Sequence, residues 1–380
     1  MNKVYYGYST VMKEVLYLSF DSLKEGVGAS QVLAYMRKVQ PMYQVTILSF
    51  EKEMPTKSEI FEIQKEGLTW RPLQFGRFGA LGGVSRVFRM WLRIDRSKII
   101  HARSTLPAIA ALLRFPNSWI WDCRSLQADQ RKALTAESRI NPVFLAMRAL
   151  EFVIAKYSTS IIVITNAVVP VIMARYHVTP KKITVIPTCV DVEKFKVTPF
   201  DRHKNIKILF AGTFSPAYDV KLINMIIKKL KEYTKVTVTI AASQGATDYW
   251  KQVEYDSVVS VAHDEMPSLI QAHDLGFSVW RNDLGISLTS VASTKTAEFL
   301  ACGRPVVINS LQGDFGSLIE EHNAGVVTIS ETEKEIESYA KRILGLVEDK
   351  TTPTRCRELA LKEFNLELGV KKLIELYKKM

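Results

Sequence analysis

The chain has 380 residues, 47% of them hydrophobic and 24% charged, and a formal net charge of +12. This length fits two domains of ordinary size, and the composition excludes a disordered chain. The apolar runs are interrupted by polar residues and proline, so neither a transmembrane helix nor a signal peptide is expected. Four widely spaced cysteines fit a reducing compartment and packing roles. We therefore expect a cytoplasmic protein.

The positive charge is concentrated in the first half of the chain. Residues 1–200 hold 28 Lys and Arg against 15 Asp and Glu. Much of this excess lies in Phe75–Arg103, where seven basic residues alternate with Trp91 and other apolar residues at helical spacing. The pattern is typical of a helix that lies on the inner face of an anionic membrane, and equally of a surface helix that packs on its own domain. No nucleic-acid-binding module is recognisable, so nucleic acid is not an expected partner.

In chain order, strand-like apolar runs alternate with helical patterns, which indicates parallel sheets with crossover helices. In the first series the predicted strands are Val15–Phe20, Gln44–Phe50, Ile99–Ala102, Trp119–Trp121 and Ser160–Ile164. The predicted helices between them are Ser30–Gln40, Ser58–Glu66, Thr105–Arg114 and Pro142–Tyr157.

A second series follows a polar stretch, Thr198–Asn205, which contains a proline and predicts a hinge. We therefore divide the chain into an N-terminal domain, 1–197, and a C-terminal domain, 198–361, with a last helix near 362–380 that returns to the first domain. The predicted strands of the second series are Ile206–Phe210, Val236–Ala241, Leu275–Trp280, Pro305–Ile308 and Gly325–Ile329. The predicted helices are Val220–Tyr233, Met266–Ala272, a helix from Thr294 to Gly303, and Leu318–Glu321.

Each series has a glycine-containing turn after its first strand. Gly26 and Gly28 precede a helix in the first series, and Gly212 follows a strand in the second. Glycine allows the backbone to approach a ligand at the carboxyl end of a sheet, although a plain tight turn also explains either position. Their equivalent placement in two sheets favours a ligand cleft between domains.

The stretch Ala292–Asn309 carries the clearest chemical pattern. Ser293 and Thr294 open a helix whose N-terminal amides suit an anion, and Lys295 adds a positive charge there. Glu298 lies three residues further, on the same helix face, where its carboxylate can accept hydrogen bonds from sugar hydroxyls. An exposed Lys–Glu helix pair is the alternative interpretation. The pattern favours a site for a nucleotide sugar.

Several segments resemble glycosyltransferase family 4. The segment "VITNAVVPVIMARYHVTPKKITVIPTCVDVEKF" followed by "ILFAGTFSP" resembles its interdomain region, and "STKTAEFLACGRPVV" its nucleotide-sugar loop. "GVGASQVLAYMR", "IHARS" and the D-x-R of Asp122–Arg124 are similar to cell-surface polysaccharide transferases of the family. The resemblance covers about Val15–Val327. It implies a GT-B fold, in which two Rossmann-like domains with parallel sheets face each other across a cleft, and a retaining, metal-independent hexosyl transfer without a cofactor.

The resemblance also implies roles for individual residues. The donor would be a nucleotide-diphosphate sugar, with a UDP-sugar favoured, and the acceptor a polyprenyl-diphosphate-linked or other glycan. The diphosphate would be bound by Lys295 and the Ser293–Thr294 amides, and the ribose by Glu298. Asp122, Arg124 and Arg103 follow predicted strands at the cleft. They are candidates for catalysis or acceptor binding, and a structural ion pair is the alternative for Asp122 and Arg124.

The sequence departs from the family pattern in the donor loops. A carboxylate common in the family corresponds to Ser290, and two phosphate-binding cations correspond to Thr213 and Tyr218. Lys295 and Arg281 are the candidates to replace that charge. The missing cations leave two alternatives open beside a transferase, namely a sugar-nucleotide 2-epimerase with the same fold and a non-catalytic GT-B subunit of a transferase complex.

Overall fold

The computed structural model describes residues 12–24, 26–76, 79–135, 141–198, 205–212, 215–242 and 248–380. Contacts between residues divide the chain into two compact units. The first consists of Met1–Asp122, Tyr157–Thr159 and Tyr377–Met380, and the second of Cys123–Lys156 and Ser160–Leu376. The predicted domain boundary after residue 197 stays a prediction, and most of the predicted hinge, 199–204, lies outside the described residues.

A seven-stranded sheet forms in the first part of the chain, in the order β3-β2-β1-β4-β5-β6-β7. Its paired strands run parallel. The strands are β1 Glu14–Leu18, β2 Gln44–Glu51, β3 Thr69–Gln74, β4 Ile99–Arg103, β5 Trp119–Cys123, β6 Ser160–Val163 and β7 Ile183–Val185. Strands β4 and β5 are buried along their whole length, because helices cover both faces of a parallel sheet.

The helices of this part begin with a π-helical segment, Gly28–Leu33, that continues directly into α1. The α-helices are α1 Ala34–Val39, α2 Lys57–Lys65, α3 Gly79–Trp91, α4 Thr105–Arg114, α5 Gln127–Thr135, α6 Pro142–Tyr157 and α7 Val169–Tyr176. Helix α2 begins with a capping box, in which Thr56 and Glu59 satisfy each other's backbone amides.

The second sheet has six parallel strands in the order β10-β9-β8-β11-β12-β13. These strands are β8 Asn205–Ala211, β9 Lys235–Ala241, β10 Ser257–Val259, β11 Leu275–Ser278, β12 Val306–Asn309 and β13 Gly325–Thr328. The helices are α8 Val220–Tyr233, α9 Met266–Gln271, α10 Thr294–Ala301, α11 Phe315–Glu321, α12 Glu333–Glu348, α13 Thr352–Glu363 and α14 Leu366–Lys378. Shorter 3₁₀ segments lie at Pro180–Lys182, Asp248–Gln252 and Asn282–Ser290.

Helix α8 illustrates why these segments fold as they do. Its apolar residues recur at helical spacing and are buried against the second sheet, whereas Asp219 caps its first turn by accepting a hydrogen bond from the Leu222 amide at 3.0 Å. The prediction of two Rossmann-like parallel sheets is confirmed. All four cysteines are buried and none forms a disulfide, as expected for packing residues.

Candidate functional site

The carboxyl edge of the second sheet has a topological switch point. Strand β8 lies between β9 and β11, so the connections that leave β8 and β11 diverge to opposite sides. Parallel α/β sheets bind ligands at such a point. Gly212 follows β8 with φ of +120°, and a Cβ built on it would lie 3.7 Å from Lys295 Cγ. Lys295, in the first turn of α10, therefore lies beside the end of β8.

Lys295 and Glu298 form a partly buried ion pair. Lys295 Nζ donates to Glu298 Oε2 at 2.8 Å, with side-chain exposures of 25% and 1%. Glu298 Oε1 is buried and has no hydrogen-bond partner within the described structure. This is not the exposed pair of the alternative interpretation. A buried carboxylate oxygen without a donor is costly, so the arrangement suits a ligand that supplies hydroxyl or amide donors.

The start of α10 carries the other predicted anion ligands. Ser293 is the N-cap residue, with extended backbone, and its side chain makes no capping hydrogen bond. Thr294 is the first residue of the helix. His263 adds an imidazole to this region, where burial lowers its pKa, Glu298 acts to raise it and Lys295 acts to lower it. The positive end of the α10 dipole and the Lys295 ammonium together favour an anion.

Two other predicted donor-site positions have different surroundings. Arg281 Nε donates to Asp283 Oδ1 at 2.9 Å and Arg281 Nη1 to the Pro216 carbonyl at 3.1 Å, so this guanidinium is held by its own loop and by the segment after β8. It lines a cavity of about 410 Å³ whose lining residues include neither Lys295 nor Glu298. Thr213 lies outside the described residues.

Tyr218 and Ser290, which replace charged residues of the family pattern, are structural. The Tyr218 ring packs against Trp280 with centroids 5.3 Å apart, and burial raises its pKa to about 12, so the phenol stays neutral. Ser290 Oγ donates to the Ser287 carbonyl at 2.9 Å and accepts from the Leu126 amide at 3.3 Å. Lys295 is thus the cation that the structure places beside the Gly212 turn.

The glycine loop of the first sheet is anchored by a buried carboxylate that the sequence analysis did not identify. Glu51 accepts hydrogen bonds from the Ser22 hydroxyl, the Leu23 amide at 3.0 Å and the Ser49 hydroxyl at 2.6 Å. A Cβ on Gly28 would lie 1.7 Å from the Ser22 carbonyl oxygen, so this position excludes any side chain.

Glycine is favoured at Gly26 for a different reason than at Gly28. Its φ is +49°, and a Cβ there would have no heavy atom within 4 Å. Backbone conformation, not space, therefore favours glycine at Gly26.

Arg103 and Asp122 lie together at the carboxyl ends of β4 and β5. Arg103 Nη1 is 3.5 Å from Asp122 Oδ2, and Arg103 Nε donates to Asp21 Oδ2 at 2.8 Å. Burial acts to lower the pKa of Arg103, but Tyr17 and the two carboxylates outweigh it and raise the pKa. Asp122 is also 3.4 Å from His101 Nε2, a residue that "IHARS" contains but that the sequence analysis did not select.

The remaining candidate, Arg124, donates to the Thr188 hydroxyl at 3.4 Å.

Ser104, between Arg103 and α4, has φ of +70° and ψ of 177°, a conformation that residues other than glycine rarely adopt. Its amide donates to the Asp122 carbonyl at 2.8 Å. Strain of this kind costs about 1–3 kcal/mol and often accompanies functional sites.

The Asp314 side chain is hydrogen-bonded to backbone amides. Its carboxylate accepts from the amides of Asn166 at 2.6 Å and Ala167 at 2.8 Å. Asn309, at the end of β12, accepts from the Trp280 amide at 3.1 Å and holds the turn after β11. Among the described residues no group of His, Cys, Asp and Glu could hold a metal ion.

Comparisons with known proteins match part of the chain to one family. Residues 28–194 match the model of Glycosyltransferase Family 4. The predicted resemblance is confirmed. The chain has the fold of two parallel-sheet Rossmann-like domains that GT-B glycosyltransferases share. Among curated proteins, none matches the sequence of this chain at a significant level.

Solved structures show the same fold at low sequence identity. Sucrose-phosphate synthase from Thermosynechococcus elongatus is 13% identical, with a TM-score of 0.69 over 97% of this chain and 99% of that one. HepE of Anabaena in complex with UDP and glucose is 16% identical, with a TM-score of 0.69 over 97% and 100%. WaaG, a glycosyltransferase involved in lipopolysaccharide biosynthesis, is 12% identical, with a TM-score of 0.61 over 94% and 98%.

Proposed function

We propose that this protein is a glycosyltransferase that moves a hexose from a nucleotide-diphosphate sugar to a lipid-linked or other glycan acceptor in cell-surface polysaccharide biosynthesis. The Lys295–Glu298 pair at the start of α10 carries the proposal, because Glu298 presents a buried oxygen without a donor beside a cation and a helix N-terminus. HepE, which shares the fold, was crystallised with UDP and with UDP-glucose, which supports a UDP-sugar as the donor.

The chemistry we propose is a retaining transfer without metal or cofactor. Charge develops on the departing diphosphate, and fixed positive groups stabilise it without reorganisation. Lys295 and the α10 amides would supply that charge, and Glu298 would bind the ribose. On the acceptor side, Asp122 and Arg103 would orient the attacking hydroxyl at the strand ends of the first sheet.

A thermal-shift screen of the purified protein against UDP, GDP, ADP, CMP and their sugars tests the donor class. A ligand present at a hundred times its Kd stabilises the fold by about 2.7 kcal/mol, so a positive result is measurable. We expect a rise in melting temperature with UDP and UDP-sugars. If no nucleotide changes the melting temperature, the donor proposal is wrong. The alternative of a non-catalytic GT-B subunit of a transferase complex would then be favoured. The neutral Tyr218, at a position where a phosphate-binding cation is expected, also fits that alternative.

We also propose a cytoplasmic protein that binds the inner membrane surface through α3. One face of this helix packs inward through Val87 and Met90. The opposite face leaves large apolar side chains exposed, with Leu81 86%, Val84 69% and Phe88 56% accessible. No helix in the described part of the chain is long and apolar enough to cross a membrane.

The basic residues around α3 divide into two groups. Arg86 is buried, with its guanidinium 3.9 Å from the centre of the Phe75 ring, and Arg89 donates to the Gln74 carbonyl. Arg93 and Arg96 are exposed just beyond the helix. An exposed apolar stripe with neighbouring exposed arginines is complementary to an anionic lipid surface.

Sedimentation with vesicles of phosphatidylglycerol and phosphatidylcholine tests this surface. Each basic residue near an anionic membrane contributes about 1 kcal/mol, so Arg93→Glu with Arg96→Glu should lower binding at least about tenfold. Leu81→Ser with Phe88→Ser should lower it as well. The matched control is Lys228→Glu with Lys350→Glu, two exposed lysines far along the chain. Vesicle binding that is equal in all four proteins would contradict the proposal.

A further inference from the structure

A row of polar side chains joins Tyr377, in the last turn of α14, to Asp21, in the loop after β1. The Tyr377 hydroxyl lies 2.7 Å from His101 Nδ1, and His101 Nε2 lies 3.4 Å from Asp122 Oδ2. The same carboxylate oxygen is 3.5 Å from Arg103, which donates to Asp21. The two ends of the row are thus far apart in sequence and connected through one imidazole.

Most of this row is shielded from water. The side chains of His101 and Asp122 are 3% and 4% exposed, and Tyr377 is fully buried. The Tyr17 ring packs on the imidazole, with centroids 4.3 Å apart. The Asp21 side chain is 44% exposed, so the row reaches solvent at the strand ends, where a substrate would approach.

The hydrogen-bond chemistry of the row determines where its protons lie. A carboxylate has only acceptors, so the Nε2 atom that faces Asp122 must carry the imidazole proton. In a neutral imidazole Nδ1 then presents a lone pair, and the Tyr377 hydroxyl is the donor to it. Burial, above all, raises the pKa of Tyr377, so the phenol keeps the proton that it donates.

We propose that Tyr377 and His101 are positioning residues for Asp122, with the Tyr377 hydroxyl holding the imidazole so that its Nε2–H donates to the Asp122 carboxylate. The catalytic consequence rests on the proposed transferase function. Fixing one carboxylate oxygen toward His101 and Arg103 sets the orientation of the whole Asp122 carboxylate at the end of β5. Tyr377, near the end of the chain, thereby positions a carboxylate at the carboxyl end of β5.

The imidazole can be observed directly by NMR of protein labelled with ¹⁵N-histidine. The chain has six histidines, and His101→Gln identifies the signals of His101. In the wild type we expect a neutral Nε2–H imidazole whose proton exchanges slowly with water. In Tyr377→Phe the ring loses its bond at Nδ1, so we expect that proton resonance to broaden or disappear. A wild-type Nδ1–H form, or an unchanged Nε2–H resonance in Tyr377→Phe, would overturn the proposal.

Tyr43→Phe is the matched control, because Tyr43 packs edge-on against Tyr377 at 5.4 Å and its replacement keeps the Tyr377 hydroxyl. Its His101 spectrum should equal that of the wild type. Once a donor is known, Tyr377→Phe should lower kcat about tenfold, the equivalent of one lost buried hydrogen bond, with the KM for the nucleotide sugar unchanged. An unchanged kcat would also overturn the positioning role. A wild-type protein that transfers no sugar would overturn the proposed function instead. The spectrum would still decide which nitrogen of the His101 imidazole carries the proton.

Discussion

Lys295→Ala and Glu298→Gln are each expected to remove most of the thermal stabilisation that a nucleoside diphosphate gives the wild type. A hydrogen bond to a charged group contributes about 1.5–3 kcal/mol, so losing the Lys295 contact to phosphate should weaken binding by about 10- to 150-fold. Glu298→Gln keeps the shape of the buried side chain but exchanges one acceptor oxygen for a donor. The affinity of the variants for UDP can be measured by calorimetry.

The two substitutions should differ in their effect on the unliganded protein. Lys295→Ala leaves the Glu298 carboxylate, whose side chain is 1% exposed, without its cation, and breaking a buried pair in this way costs about 3–5 kcal/mol. Glu298→Gln leaves Lys295 with a side chain that is 25% exposed and can be hydrated. We therefore expect a lower melting temperature for Lys295→Ala than for Glu298→Gln, although both lose affinity for the nucleotide.

A second Lys–Glu pair supplies the control for these variants. Lys229 Nζ and Glu232 Oε2 on α8 have the same spacing of three residues and lie 2.7 Å apart. Lys229→Ala and Glu232→Gln should leave nucleotide binding at the wild-type level. If the α10 variants also bind UDP like the wild type, the donor site lies elsewhere in the chain.

Much of the fold could be predicted because its strands are buried on both faces. Runs such as Gln44–Phe50 and Ile206–Phe210 are almost entirely apolar or β-branched, and the structure has strands there. Three strands are not predicted from the sequence, namely β7 and β10, which have three residues each, and β3, which contains Pro72. All three lie at the outer edges of their sheets, where short and partly exposed strands lack a clear pattern.

The site was predictable only where its residues are close in sequence. Lys295 and Glu298 share a helix face, so their spacing predicts their contact. The approach of Lys295 to Gly212 and the binding of Asp314 to the Asn166 amide join distant segments, which spacing does not encode. Glu51 was missed because a glutamate at the end of a strand is usually exposed, and its burial depends on how the Ser22 loop folds back.

Arg89 is a case in which the sequence overestimates the exposed charge of a helix. The sequence places it on a basic helix with Arg93 and Arg96, and periodicity cannot tell which arginine faces the protein. The structure places its guanidinium over the Phe50 ring, 4.9 Å from the ring centre. Arginine side chains commonly cover apolar surface in this way, so a count of basic residues overestimates the charge available to a membrane.

Gly28→Ala is expected to destabilise the first unit by about 3 kcal/mol, a large effect for the addition of one methyl group. The new Cβ would lie 1.7 Å from the Ser22 carbonyl oxygen and 2.6 Å from its carbonyl carbon, and both are backbone atoms. The loop cannot move away easily, because Glu51 holds both the Ser22 hydroxyl and the Leu23 amide. Urea-induced unfolding followed by circular dichroism would measure the loss.

Gly83→Ala is the matched control for this glycine, since Gly83 lies inside α3 and a Cβ there would have no heavy atom within 4 Å. Alanine is favoured over glycine inside a helix by up to about 1 kcal/mol, so this variant should be at least as stable as the wild type. A Gly28→Ala protein as stable as Gly83→Ala would mean that the glycine loop can shift without cost. The tight contact between Gly28 and Ser22 would then not explain why glycine stands at this position, and the role of Gly28 would have to come from a ligand.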